Sequence, residues 1–221
     1  MPTYPCTLAE PRVSAALNRM FEAAARDDET AARLQEVQPY EKESLTAREL
    51  ADAVQEIYMP VSADGGRLLY NLIRASRPAT VVEFGTSYGI STLHLAAAVR
   101  DNGTGQVITT EMNRTKAAHA RETFAATGLD DVITVLEGDA LETLAALRQP
   151  VDFLFLDGWK DLCLPVLRLL EPHIAPGTLV VADDVDLPDL GTYLEHVRDT
   201  ANGYHSVTFP VEDGLEISCR L

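Results

Sequence analysis

Two stretches of the chain place acids and a base where they can act together. Phe155-Leu156-Asp157-Gly158-Trp159-Lys160 and Val180-Val181-Ala182-Asp183-Asp184 each end an apolar run in charged residues. Three clustered carboxylates, from Asp157, Asp183 and Asp184, offer the oxygen ligands that hard cations such as Mg²⁺, Mn²⁺ or Ca²⁺ take. Without a cation such carboxylates repel one another, and some take up protons. The same residues also fit plain structural work, with Asp157 paired to Lys160 and the two later aspartates capping a turn. Spacing alone leaves both readings open.

A second set lies upstream. Glu83-Phe84-Gly85-Thr86-Ser87-Tyr88-Gly89 is followed by Ser91 at the start of a helical stretch. Gly85 and Gly89 let the backbone turn sharply and approach a ligand closely, and the helix amides beyond can face a polar group. The spacing is not GxGxxG, and no Gly-Lys-Ser/Thr follows, which weakens dinucleotide and Walker-type readings. Glu111 ends the next apolar run. It can accept both hydroxyl protons of a ribose, or be an ordinary solvated acid. Asp139, in Glu137-Gly138-Asp139-Ala140, suits an adenine amino group or the N-cap of the next helix. The five histidines form no spaced ligand set.

These residues need elements to hold them. From Thr80 onward short apolar runs alternate with amphipathic stretches: Val81–Phe84, Val107–Thr110, Val132–Leu136, Val151–Leu156 and Thr178–Ala182 as strands. Helices are predicted over Ser91–Arg100, Arg114–Thr127, Ala140–Arg148, Asp161–Glu171 and Pro188–Thr200. Nearly all-apolar strands alternating with helices predict a parallel sheet covered on both faces. His205–Phe209 and Leu215–Arg220, joined by Val211-Glu212-Asp213-Gly214, predict a terminal antiparallel hairpin. The fold class is therefore α/β, a doubly wound Rossmann-like sheet, mostly parallel. Before it, Leu8–Arg26, Ser44–Tyr58 with Ser44 as N-cap, and Asp64–Ser76 read as helices. One domain over 1–221 is expected, with 1–76 a helical cap and 77–221 the α/β core. In such sheets ligands bind beyond the carboxyl ends of the strands, where strand order reverses. All the residues above lie at such ends.

Composition narrows the classes. The 221 residues carry 18 Lys+Arg against 34 Asp+Glu, a net charge of −16. That balance argues against a broad nucleic-acid surface. No apolar run of about 18 residues is present, which excludes a membrane-spanning helix. Met1–Arg12 holds no apolar signal segment. Cys6, Cys163 and Cys219 are odd in number and widely spaced, as in reduced proteins, so a cytoplasmic location is expected. The apolar faces of the N-terminal helices suit a homodimer contact or a cover for the sheet.

VVEFGTSYGIST, TTEMN, FLFLDGWKD and LVVADDV, in that order, resemble the catechol O-methyltransferase-like family, class I methyltransferases that use S-adenosylmethionine (SAM) and a divalent metal. The resemblance runs from about Met59 to the C-terminus. It implies that Met59 and Val61 cover the methionine part of SAM. Glu83, Gly85, Ser87 and Ser91 then form the first SAM motif, and Glu111 takes the ribose. Asp139 and Ala140 lie at the adenine, with Asp157 and Trp159 also beside the cofactor. Asp157, Asp183 and Asp184 would be metal ligands, and Lys160 the catalytic base. Trp159 and Pro188 would wall a flat substrate beside Lys160 and Asp184, and Glu216 would bond a catechol hydroxyl. Two departures stand out. Asp184 replaces an asparagine of the animal enzymes, and Gly158 replaces a histidine, which implies more room beside the cofactor's base.

The implied reaction methylates a small catechol-like aromatic diol. A phenol keeps its proton until about pH 10, and a bound Mg²⁺ lowers that value. Lys160 must be neutral to take the proton; the cation and partial burial are expected to depress its pKa. Other readings of the same residues are O-methylation of a hydroxylated tRNA uridine, a nucleoside-binding protein without turnover, and an NAD(P) oxidoreductase.

Overall fold

A computed structural model describes residues 6–37 and 44–221; Met1–Pro5 of the leader reading lie outside the described residues. Val, Ile, Phe and Thr dominate the runs after Ala79, and such side chains pack well on a pleated surface. They form β1 (Thr80–Phe84), β2 (Gln106–Glu111), β3 (Ile133–Glu137), β4 (Val151–Leu156) and β5 (Ile174–Asp183), all parallel. β6 (Tyr204–Phe209) and β7 (Leu215–Arg220) form the antiparallel hairpin, and β7 pairs antiparallel with β5. The sheet order is β3-β2-β1-β4-β5-β7-β6. Strand order reverses between β1 and β4, so the crevice opens at their carboxyl ends.

Helices cover both faces. α1 (Pro11–Ala24), α2 (Asp27–Val37), α3 (Ala47–Ala53), α4 (Ala63–Ser76), α5 (Ile90–Asn102) and α6 (Arg114–Thr127) precede β3. α7 (Ala140–Thr143), α8 (Cys163–Leu170) and α9 (Gly191–Arg198) follow it. Two cores result, one per face. Val81, Phe153, Phe155 and Val181 pack with α1, α4, α5 and α6, while Val82, Leu154, Leu156 and Val180 pack with α7, α8 and α9. A smaller cluster joins Leu50, Val54 and Ile57 with Leu34, Leu45 and Trp159.

Several predicted boundaries shift. The first helix breaks into a short turn at Thr7–Ala9 and then α1, because Pro11 takes the first helical position, where its missing N–H is not needed. The N-cap of α3 is Thr46, not Ser44: a capping box links Thr46 and Glu49 in both directions. The helix predicted to reach Arg148 is α-helical only through Thr143. α2 was not predicted; none of its residues is fully buried, its half-buried face mixes Asp27 and Thr30 with Ala31 and Leu34, and acids Asp27, Asp28 and Glu29 favour its N-terminus. Among the described residues no helix is long and apolar enough to cross a membrane.

Phe153 is fully buried at the centre of the sheet. Phe153→Ala is expected to cost about 3–5 kcal/mol, read as a lower urea midpoint with an unchanged slope. A loss under about 1 kcal/mol would contradict this placement of the core.

Candidate functional site

Register builds the acid cluster. Leu156 of β4 pairs with Ala182 of β5, so the next residue of each strand, Asp157 and Asp183, leaves the sheet at the same level. Neighbouring strands lie about 4.8 Å apart, and Asp184 follows in a left-handed turn at φ 59°. One carboxylate oxygen from each of Asp157, Asp183 and Asp184 lies within 4.8 Å of the others. Among the described residues this is the group of acids close enough to share an ion. Lys160, on the turn before α8, donates to Asp157 Oδ1 at 2.9 Å and sits 2.9 Å from Asp184 Oδ2. The Asp157–Lys160 ion pair and the approach of the three carboxylates thus coexist in one constellation.

Its electrostatics are those of crowded acids out of water. Burial pushes Asp157 up to about 6, with Lys160 opposing and Asp184 and Glu212 adding to the rise. Asp183 rises further, to about 8, through burial and the Asp157 and Asp184 charges. Lys160 is pulled in two directions. Burial does work to depress it, but the Asp157 and Asp184 carboxylates outweigh burial and hold the ammonium well above the ordinary lysine range. The donor set is hard oxygen and its net charge is negative, which fits one divalent cation; such a charge would offset the repulsion that now raises both aspartates.

A cavity of about 950 Å³ runs from this cluster to the glycine turn. Gly85 has φ 103°, and a Cβ there would lie 2.6 Å from the Asp157 carbonyl oxygen, so only glycine lets the turn pass β4 this closely. Ser87 is left-handed at φ 46° and donates its hydroxyl to the Tyr58 carbonyl at 2.6 Å. Its backbone N–H donates to Glu111 Oε2 at 2.7 Å. The wall combines Met59, Val61, Gly85, Ser87, Ser91, Glu111 and Ala140 at one end with Trp159, Lys160, Asp157, Asp183, Asp184 and Pro188 at the other. Val61 is buried in the core as well, and Met59 is 45% exposed.

Three predicted site residues stand elsewhere. Asp139 caps α7, accepting from the Leu141 N–H at 2.8 Å, and does not line the cavity. Glu83 is fully buried behind the turn, where its Oε2 accepts from Thr92 and Thr109, and burial pushes it up to about 7. Glu216 is a clear departure. Side chains alternate along β7, so Leu215 and Ile217 face the α1-side core while Glu216 turns to α9. Its carboxylate accepts from Arg198 (2.9 and 2.8 Å), Ser206 (2.7 Å) and Thr208 (2.6 Å), and it lines no part of the cavity. The acid that reaches the cluster's field from this hairpin is Glu212, in the turn before β7. Gly158 also has a packing reason: a Cβ there would lie 2.4 Å from the Phe84 ring.

Sequence reasoning passed over Lys116, Tyr58 and Gln55. Lys116 is 3% exposed and lines the cavity, and Tyr58 stacks on Tyr88 with ring centroids 4.1 Å apart. Tyr88 is held by its hydroxyl donating to the Gln55 carbonyl. The signal available was the proximity of Lys116 to Glu111 in sequence, one helical turn beyond a strand end.

A "Methyltransferase domain" family model matches residues 82–185. The chain is 32% identical over 181 residues to catechol O-methyltransferase B of Danio rerio, covering 76% of this chain and 67% of that protein. It is 30% identical over 151 residues to catechol O-methyltransferase of Sus scrofa, covering 65% and 80%. A methyltransferase from Geobacter sulfurreducens superposes with TM-score 0.66 at 25% identity, covering 88% of this chain and 97% of the other. An O-methyltransferase from Bacillus cereus in complex with SAH shares the fold, with TM-score 0.67 at 19% identity over 91% and 100%. The chain belongs to the catechol O-methyltransferase-like family of class I, SAM-dependent O-methyltransferases.

The shifted aspartates set a pH dependence. Both bind protons more tightly folded than at the ordinary aspartate value of 3.8. Their contribution to stability is therefore complete below that value and is lost as pH rises through about 6 and about 8. Melting of chelator-treated protein is expected to fall in temperature across that window. Asp183→Asn is expected to flatten the upper part of the fall, and added Mg²⁺ to raise the melting temperature most at the alkaline end. Parallel profiles for parent and variant would contradict the assignment.

Proposed function

We propose that the protein transfers the methyl group of SAM to one hydroxyl of a small aromatic compound with vicinal hydroxyls, with a divalent cation held by Asp157, Asp183 and Asp184. The observation that carries this reading is the meeting of those three carboxylates beside Lys160 at one end of the cavity. The names of the Danio rerio and Sus scrofa relatives support the substrate class.

SAM supplies a methyl carbon already activated by its sulfonium. The cation, when bound, supplies positive charge that favours ionised oxygen and offsets the carboxylates that otherwise keep Lys160 protonated. The chain's own residues do the rest. Glu111, Ser91 and the backbone at Gly85 receive the donor's nucleoside and methionine parts, with Met59 and Val61 closing over it. Trp159 and Pro188 flank the aromatic ring, leaving its hydroxyls toward Lys160 and Asp184. Lys160, neutral, takes the hydroxyl proton at Nζ. The O–C bond forms as the C–S bond breaks, giving a methyl ether, the demethylated sulfide and a protonated Lys160. Holding the oxygen, carbon and sulfur in line contributes much of the rate.

Transfer from labelled SAM to a panel of catechols is the test. Activity is expected to vanish with chelator and return with Mg²⁺. Lys160→Met is expected to lower kcat about 10²- to 10⁴-fold while SAH binding persists. Turnover that survives chelator would refute the metal role, and full activity of Lys160→Met would refute the base.

A further inference from the structure

Lys116 is a buried amine that the proposed reaction does not use. It lies in the first turn of α6, 3% exposed, and lines the cavity beside Ser87 of the glycine turn. Burying an ammonium is costly unless it meets partners. Here Nζ donates to Ser87 Oγ at 3.2 Å and lies 5.5 Å from the centre of the Tyr88 ring. Glu111, at the end of β2, and Asp27, on α2, are the carboxylates that act on it. The Tyr88 ring also meets the rings of Tyr58 and His119.

These contacts form a continuous path. Ser87 receives the ammonium's hydrogen bond and passes its own to the Tyr58 carbonyl at 2.6 Å. The Tyr58 and Met59 N–H groups donate to the two oxygens of Asp27 at 2.9 and 2.8 Å. The segment that bridges the cavity is thereby pinned from both sides, although Met59 (φ 46°) and Ser87 (φ 46°) both occupy the left-handed region. Conformations of that kind persist only where surroundings fix them.

We infer that Lys116 is a positioning residue for the methyl donor, tying the Tyr58–Val61 segment to the glycine turn through Ser87. The inference rests on the reading of this cavity end as the donor subsite. A second effect follows from charge. Burial raises Glu111, while the Lys116 ammonium works against that rise and favours the carboxylate that would accept ribose hydroxyls. Burial brings Lys116 itself down to about 8, with Glu111 and Asp27 opposing. Donor affinity should therefore weaken as pH rises through that value.

The test compares parent, Lys116→Met and Lys116→Arg in calorimetric titrations with SAH, and in amide hydrogen exchange of the ligand-free proteins. Lys116→Met is expected to bind SAH about tenfold or more weakly. Its KM for SAM should rise likewise, with kcat at saturating SAM near the parental value. Its Tyr58 and Met59 amides should exchange faster without ligand, and Lys116→Arg should restore most of both properties. Parental affinity should converge on that of Lys116→Met above pH about 8, the methionine variant staying flat. Unchanged SAH affinity and exchange in Lys116→Met, with the parent binding SAH, would overturn the inference alone. A parent that does not bind SAH would overturn the donor-site reading and this inference with it. If Lys116→Met fails to fold, a parental affinity that does not change with pH overturns the proposal.

Discussion

The crowding of three carboxylates at the ends of β4 and β5 is the constraint around which this end of the molecule is organised. Two adjacent parallel strands in register leave Asp157 and Asp183 side by side, and Asp184 turns back toward them. Acids so placed either take up protons or gather positive charge. Lys160 supplies one positive charge and bonds two of the three. It leaves a negative excess that a divalent cation matches. Crowded, buried acids oppose folding at neutral pH, and their presence at a strand-order reversal is the pattern of a site maintained at a cost in stability.

The cluster is coupled to the rest of the cavity through backbone. The Asp157 N–H donates to the Phe84 carbonyl at 2.8 Å, and Gly85 passes against the Asp157 carbonyl with no room for a side chain. The glycine turn and the acids are therefore joined through backbone contacts. From that turn Ser87 reaches back to Tyr58 and Lys116, so both ends of the proposed donor subsite share a single scaffold. Trp159 extends it outward, since the ring that borders the cavity also packs with Leu50 and Val54 near α3.

Much of this was legible before any coordinates. Apolar runs broken by charged ends gave the strands and their termini, because a strand covered on both faces has few other compositions. Asp157, Asp183, Asp184 and Lys160 are near in space because β4 and β5 are consecutive neighbours, the commonest arrangement. Other parts depend on facts that short motifs do not carry. Glu216 was placed by a four-residue match, but the alternation of β7 directs it to Arg198. The half-buried face of α2 mixes Asp27 and Thr30 with Ala31 and Leu34, so no apolar periodicity marks it. Lys116 reads as a surface lysine of a polar helix; its burial comes from Tyr88 and Glu111, which different elements bring over it. Gly158 borders the cavity, and its bare backbone also leaves room for the Phe84 ring, a packing role that no motif carries.

The most direct measurement of the central claim is anomalous diffraction from crystals grown with Mn²⁺ and SAH. The account predicts one manganese peak bound by an oxygen from each of Asp157, Asp183 and Asp184 at roughly 2.0–2.6 Å, with SAH lying along the glycine turn. Clear density for SAH with no metal peak among these three carboxylates would contradict it.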